Sequence, residues 1–190
     1  MPLRLLLVIA CLASAATAAD GDALDREIEA STLIRAGDTA PDFSCKTTDG
    51  RAFTLAAQKG KVVLLYFFAS SVPFCYPEMR YIENEIVEKL AKREDFTVLC
   101  IGRGHTREEL VKIGGENKLR LPMAADEGKE IYSKMFTKFV PRTVLIGKDG
   151  QVVYTAAGSK EFEGIVKLQE AIAREIIMGE TAPAAERAAA

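Results

Sequence analysis

The 190-residue sequence has no tryptophan and only one histidine, His105. A single imidazole, with cysteines scattered rather than clustered, argues against a zinc centre, and no cofactor is expected. An excess of charge is also lacking. Twenty-five Lys and Arg face 27 Asp and Glu, for a formal net charge of −2. There is no basic stripe to neutralise phosphates, so nucleic acid is not an expected partner. Beyond the start, no apolar run is long enough to span a membrane, so no span is expected in the rest of the chain. "MPLRLLLVIACLASAATA" has one basic residue, Arg4, then an apolar run, then small residues ending Ala16-Thr17-Ala18. That is the pattern of a secretory signal with an A-x-A cleavage site, too short for a membrane span. Cleavage after Ala18 is predicted. A rival reading takes Val8-Ile9-Ala10-Cys11 as a lipobox, with Cys11 as a lipid anchor.

Of the four cysteines, Cys45, Cys75 and Cys100 lie beyond this signal. Exposed thiols pair in an oxidising compartment, and an odd number leaves at least one free or bonded outside the chain. The pattern is not that of a disulfide scaffold. The remaining chain is long enough for one domain with a substantial core. It contains no internal repeats.

Residues 19–32 are polar and charged, and read as a flexible lead-in with a short helix over "ALDREIEA". "DFSC" and "AFTL" flank a turn signal at Asp49-Gly50 and predict a β-hairpin. "KVVLLYFFA" (61–69) is a continuous apolar run, suited to a central strand covered on both faces. Over 78–92, Met79, Ile82, Ile86 and Leu90 recur at spacings of three and four, as on an amphipathic helix. "FTVLCIG" is a second apolar strand, which completes a right-handed βαβ unit. Thr106 and Glu109 predict a capping box, with Gly114-Gly115 closing the helix that it opens. "LPMAA" predicts a short strand and "DEGKEIYSKMF" a short helix. "RTVLIGKDGQVVYTA" predicts an antiparallel hairpin. Ser159 is expected to cap a last helix that buries Phe162, Ile165, Leu168, Ile172 and Ile176, before a disordered tail over 180–190. The fold class is therefore α/β, a mixed sheet with helices on both faces.

The stretch "FFASSVPFCYPEM" carries the functional question. Together with "GDTAPDFSCKTTDGRAFTL", "KGKVVLLYFFAS", "EMRYIE" and "FVPRTVLIGKDGQVVY", in that order, it resembles the thioredoxin superfamily. The branch is that of exported TlpA/ResA-like redoxins, related to the AhpC/TSA proteins. The resemblance spans 33–179 and implies a thioredoxin-like fold with an N-terminal hairpin extension. It also implies thiol–disulfide exchange with a protein or small thiol partner, in the periplasm of a Gram-negative bacterium. The family's active site is W-C-x-x-C-x-x-E. Carried across, Cys75 matches the second cysteine, Glu78 the acid, and Val140-Pro141 the partner-binding cis-proline step. Val72 stands where the nucleophilic cysteine belongs and Ser71 where the tryptophan belongs, so the motif is degenerate.

Three readings of this site follow. The first is one-cysteine redox exchange by Cys75, with Glu78 as modulator. Pro77 lacks an N–H and fits only the first turn of a helix, which puts Cys75 at or before the first helical residue. That position is expected to draw the thiol pKa down, against an opposing push from Glu78. The second is a redox-inactive binding or scaffolding protein that holds an extended peptide at the cis-proline face. The third is a peroxiredoxin-like peroxidase, which needs a hydroxyl at the Val72 position and an arginine where Pro141 stands. Cys100 and Cys45 read as core residues, with a bond from either to Cys75 left open. His105 reads as an exposed loop residue, Arg103 and Arg142 as solvated residues near the cleft, and Tyr66 as core filling.

Overall fold

The computed structural model describes residues 22–158 and 161–181, with side chains in the last helix described for 164–177. The expected signal, the lipobox, the Ser159 cap, the Phe162 contact and the 182–190 tail lie outside the described residues. Residues 22–30 form helix α1. The expected hairpin is β1 (Ser44–Lys46) with β2 (Ala52–Thr54), antiparallel, with Cys45 opposite Phe53. Its turn contains Gly50 at φ +88°, a conformation that favours glycine.

The central strand is β3 (Val62–Phe68), all seven residues of it buried. It is the middle of a five-stranded sheet ordered β5-β4-β3-β6-β7. β4 (Phe96–Arg103) and β5 (Met123–Asp126) extend it in parallel, while β6 (Arg142–Ile146) and β7 (Val152–Ala157) run antiparallel. Three helices cover one face: α2 (Cys75–Tyr81), α3 (Arg107–Glu116) and α4 (Glu161–Thr181). α2 continues through a π-helical stretch (Ile82–Val87) into a last turn (Glu88–Leu90). The face it presents inward carries Met79, Ile82 and Ile86, as the sequence spacing predicts. On α4, Ile165, Leu168, Ile172 and Ile176 are buried as expected. The opposite face of the sheet is covered by the β1–β2 hairpin with Ile34, Tyr132 and Phe136. Alternate residues of β3 serve the two faces. Leu64, Tyr66 and Phe68 join the helical side, while Val63, Leu65 and Phe67 join the other.

Two local expectations are revised. Gly114 and Gly115 do not close α3 but sit within it, and the helix ends after Glu116, where Lys118 turns at φ +51°. Gly114 is buried inside the helix, where a Cβ would displace the flexible end of Met123, whose Cε lies 2.7 Å from that position. The predicted helix over "DEGKEIYSKMF" shrinks to a single 3₁₀ turn (Tyr132–Lys134). Lys129 at φ +65° breaks the path of a helix, and the Asp126 carboxylate accepts the N–H groups of Ile131 (3.0 Å) and Tyr132 (2.8 Å).

Candidate active site

The site lies where β3 ends and α2 begins. A tight turn joins them: the Val72 N–H donates to the Ala69 carbonyl at 3.1 Å, and the Cys75 N–H to the Val72 carbonyl at 3.1 Å. Cys75 is the first residue of α2, and Phe74 before it provides no side-chain cap. Pro77 falls at the third helical position, where its missing N–H costs no helical bond. The placement of Cys75 agrees with the sequence argument.

The consequence drawn for its acidity does not. Cys75 is 0 % exposed. Burial raises its pKa, the Ala69 backbone N–H and the Tyr66 hydroxyl lower it, and the Glu78 charge raises it. Burial dominates, so the thiol is held above its usual range rather than below it. Glu78 is also buried, and burial raises its carboxyl pKa against the Tyr66 hydrogen bond that lowers it.

Tyr66 is more than core filling. Its hydroxyl donates to Glu78 Oε2 at 3.0 Å and approaches the Cys75 carbonyl at 3.3 Å. Burial and the nearby Glu78 and Cys75 push the phenol far above its ordinary range, so it serves as a fixed donor. Sequence reasoning missed this contact. The available signal was its β3 parity, which puts Tyr66 on the face that α2 covers.

Val72 is half-buried and packs against the helical-side core, while Ser71 is exposed. The tip of the turn is open: Ser70 and Pro73 are exposed, and Phe74 is 76 % exposed. The Val140–Pro141 peptide is cis. It comes just before Arg142, which pairs with Phe67, so it stands at the same end of the sheet as the turn. Val140 is half-buried and Pro141 is buried.

The three described cysteines are all free. Cys45 packs toward the hairpin-side core, whereas Cys75 and Cys100 belong to the helical side. The Cys45 thiol is pushed up to about 11 by burial and the Asp126 charge, and burial raises that of Cys100 further. No described group of three His, Cys, Asp or Glu side chains is arranged to hold a metal ion.

The basic residues depart from expectation. Arg142 is buried, not solvated, because β6 parity turns it to the face of Phe67, away from Cys75. Its guanidinium donates to Thr32 Oγ1 (3.1 Å), the Ile28 carbonyl (3.3 Å), the Lys138 carbonyl (3.1 Å) and Ser31 Oγ, and lies 4.7 Å from the Phe136 ring centre. Burial lowers its pKa. Arg103 is half-buried, with its guanidinium 4.6 Å over the Tyr132 ring. His105 is not an exposed loop residue but is 8 % exposed. Its Nε2 accepts the Ser70 N–H at 3.0 Å, Nδ1 lies 3.2 Å from Glu109 Oε2, and the ring stacks on Phe68. The capping box explains its burial, since Thr106 and Glu109 turn the chain into α3 directly beneath the site.

Comparison with known proteins agrees with this architecture. The family model described as Redoxin matches residues 35–171. The thiol-disulfide oxidoreductase ResA of Bacillus cereus is 28 % identical over 159 residues, covering 84 % of this chain and 88 % of that protein. ResA of Geobacillus thermodenitrificans is 28 % identical over 141 residues, covering 74 % and 80 %. A solution structure from Bacteroides thetaiotaomicron, provisionally named a protein disulfide isomerase, superposes with a TM-score of 0.74 at 31 % identity, over 79 % of this chain and 95 % of that one.

Proposed function

This chain belongs to the redoxin family, with the thioredoxin-like fold of thiol-disulfide oxidoreductases, and we propose that it is an exported member that binds protein partners without two-cysteine exchange. One observation carries this reading: the only thiol at the motif is fully buried, and a valine stands three residues before it. Disulfide exchange begins with thiolate attack, and the attacked mixed disulfide is released by a second thiol. Val72 has no sulfur to attack with. Cys75 is inaccessible, and its burial disfavours the thiolate.

What the site offers outward is a surface. The open turn of Ser70, Ser71, Pro73 and Phe74 stands at the same end of the sheet as Val140-Pro141. Backbone groups beside the proline step can pair with an extended segment of a partner, and Phe74 supplies an apolar anchor. In this reading Cys75, Glu78 and Tyr66 form the packed floor beneath that surface. Export rests on the residue 1–18 pattern and predicts a mature N-terminus at Ala19.

One-thiol exchange, with Cys75 as the thiol and Glu78 as its modulator, is favoured by one feature: Cys75 opens α2, at the N-terminal end of the helix. Peroxidase chemistry has weaker support, because Val72 has no hydroxyl and Arg142 faces the other side of the sheet. Turnover of an insulin disulfide, with dithiothreitol as reductant, separates the readings. The wild type should not exceed the uncatalysed rate. Val72→Cys, which restores the C-x-x-C spacing, should accelerate it. Wild-type turnover that Cys75→Ser abolishes would establish one-thiol exchange instead.

A further inference from the structure

The only histidine of the chain is buried against the turn that closes over Cys75. The Ser70 N–H donates to His105 Nε2 at 3.0 Å, while the Ala69 carbonyl beside it accepts the Val72 N–H at 3.1 Å and the Val72 carbonyl accepts the Cys75 N–H at 3.1 Å. An Nε2 that accepts an N–H carries no proton itself, so the ring proton sits on Nδ1, 3.2 Å from Glu109 Oε2. Glu109 is fixed in turn, because the same oxygen accepts the Thr106 N–H at 2.9 Å. From β3 the ring meets Phe68, in a stacked arrangement at 6.0 Å between centroids.

We propose that His105 is a positioning residue that latches the 69–72 turn shut over Cys75 while it is neutral and releases the turn when it is charged. This rests on the reading of Cys75 as a closed thiol. A second proton on the imidazole must go to Nε2, which turns an acceptor into a donor facing the Ser70 N–H. The bond is lost and the two N–H groups repel. The charged groups around the ring set the balance. Glu109, on α3, attracts the imidazolium and keeps it at Nδ1. β3 contributes only Phe68, and Arg103 lies over Tyr132 on the other face. The charged ring therefore keeps Glu109 and gives up Ser70. Loss of that anchor loosens the turn whose Ala69 and Val72 carbonyls hold the Val72 and Cys75 N–H groups.

Two readouts test the latch on the full exported protein. One is hydrogen exchange of the Ser70 amide, corrected for its intrinsic pH dependence. The other is labelling of Cys75 by 4,4′-dithiodipyridine, which reacts with thiols in acid as well as at neutral pH. Cys100, fully buried on the same face, reports global unfolding. Between about pH 8 and about pH 5, where imidazoles change charge, both wild-type rates should rise while Cys100 stays unlabelled. The expected rise is roughly tenfold, the scale of one net hydrogen bond. His105→Gln keeps an acceptor for the Ser70 N–H that cannot be charged, and should hold both rates flat. His105→Ala should give fast labelling at either pH. Wild type that follows the flat His105→Gln profile would overturn the latch and leave the closed-thiol reading standing. Rapid Cys75 labelling at every pH would overturn both.

Discussion

At the scale of single residues, the site is a set of buried polar groups with few spare partners. Tyr66 is the shared donor for Glu78 and for the Cys75 carbonyl. Tyr66→Phe leaves a buried carboxyl without its donor and should cost about 1–3 kcal/mol of stability, read by urea unfolding. Glu78 predicts a pH dependence whose sign follows from its raised pKa. An acid whose pKa is higher folded than unfolded binds more protons in the folded state. Its contribution to stability is therefore full below the ordinary glutamate range. It is lost as pH rises through the folded pKa, and then levels off. Glu78→Gln cannot ionise, so the stability difference between wild type and variant should move against wild type on going from about pH 4 to about pH 7. A difference that is flat over that span would mean that folding does not raise the Glu78 pKa. Sequence alone gave Glu78 its place in the motif but not its partner. That partner became visible only when β3 parity turned Tyr66 toward α2.

At the scale of elements, β3 decides where everything else sits. Its two faces belong to two cores, so a cavity on either side is felt directly. Leu64→Ala, in the fully buried middle of the strand, should destabilise by about 2–5 kcal/mol in the same unfolding assay. The strand was legible because a continuous apolar run suits burial on both faces, and α2 was legible because its apolar residues repeat at helical spacing. Local pattern misleads at Gly114 and around the left-handed Lys129. The Gly114-Gly115 pair suggests a helix end, yet Gly114 sits buried inside α3 beside Met123, a tertiary fact with no local signature. Around 127–137, local helical spacing gives way to the Asp126 carboxylate and the turn at Lys129. His105 was misread for a related reason. A capping box normally lies at an exposed helix end, and here that end tucks under the active-site turn.

At the scale of the whole molecule, the chain has a redoxin-family fold in which the motif cysteine, Cys75, is fully buried. The family and the fold class could both be read from ordered motifs. The state of the remaining thiol could not, because burial and the helix N-terminus act on it in opposite directions, and only packing shows which prevails. Alkylation of the native, unreduced protein with a neutral maleimide at about pH 7.5, followed by peptide mapping, addresses that state directly. The account predicts that Cys75 and Cys100 stay unmodified until the protein is denatured, and that Cys45, Cys75 and Cys100 then all react as free thiols. Modification of native Cys75 at the rate of an exposed cysteine, or its recovery in a disulfide, would contradict it.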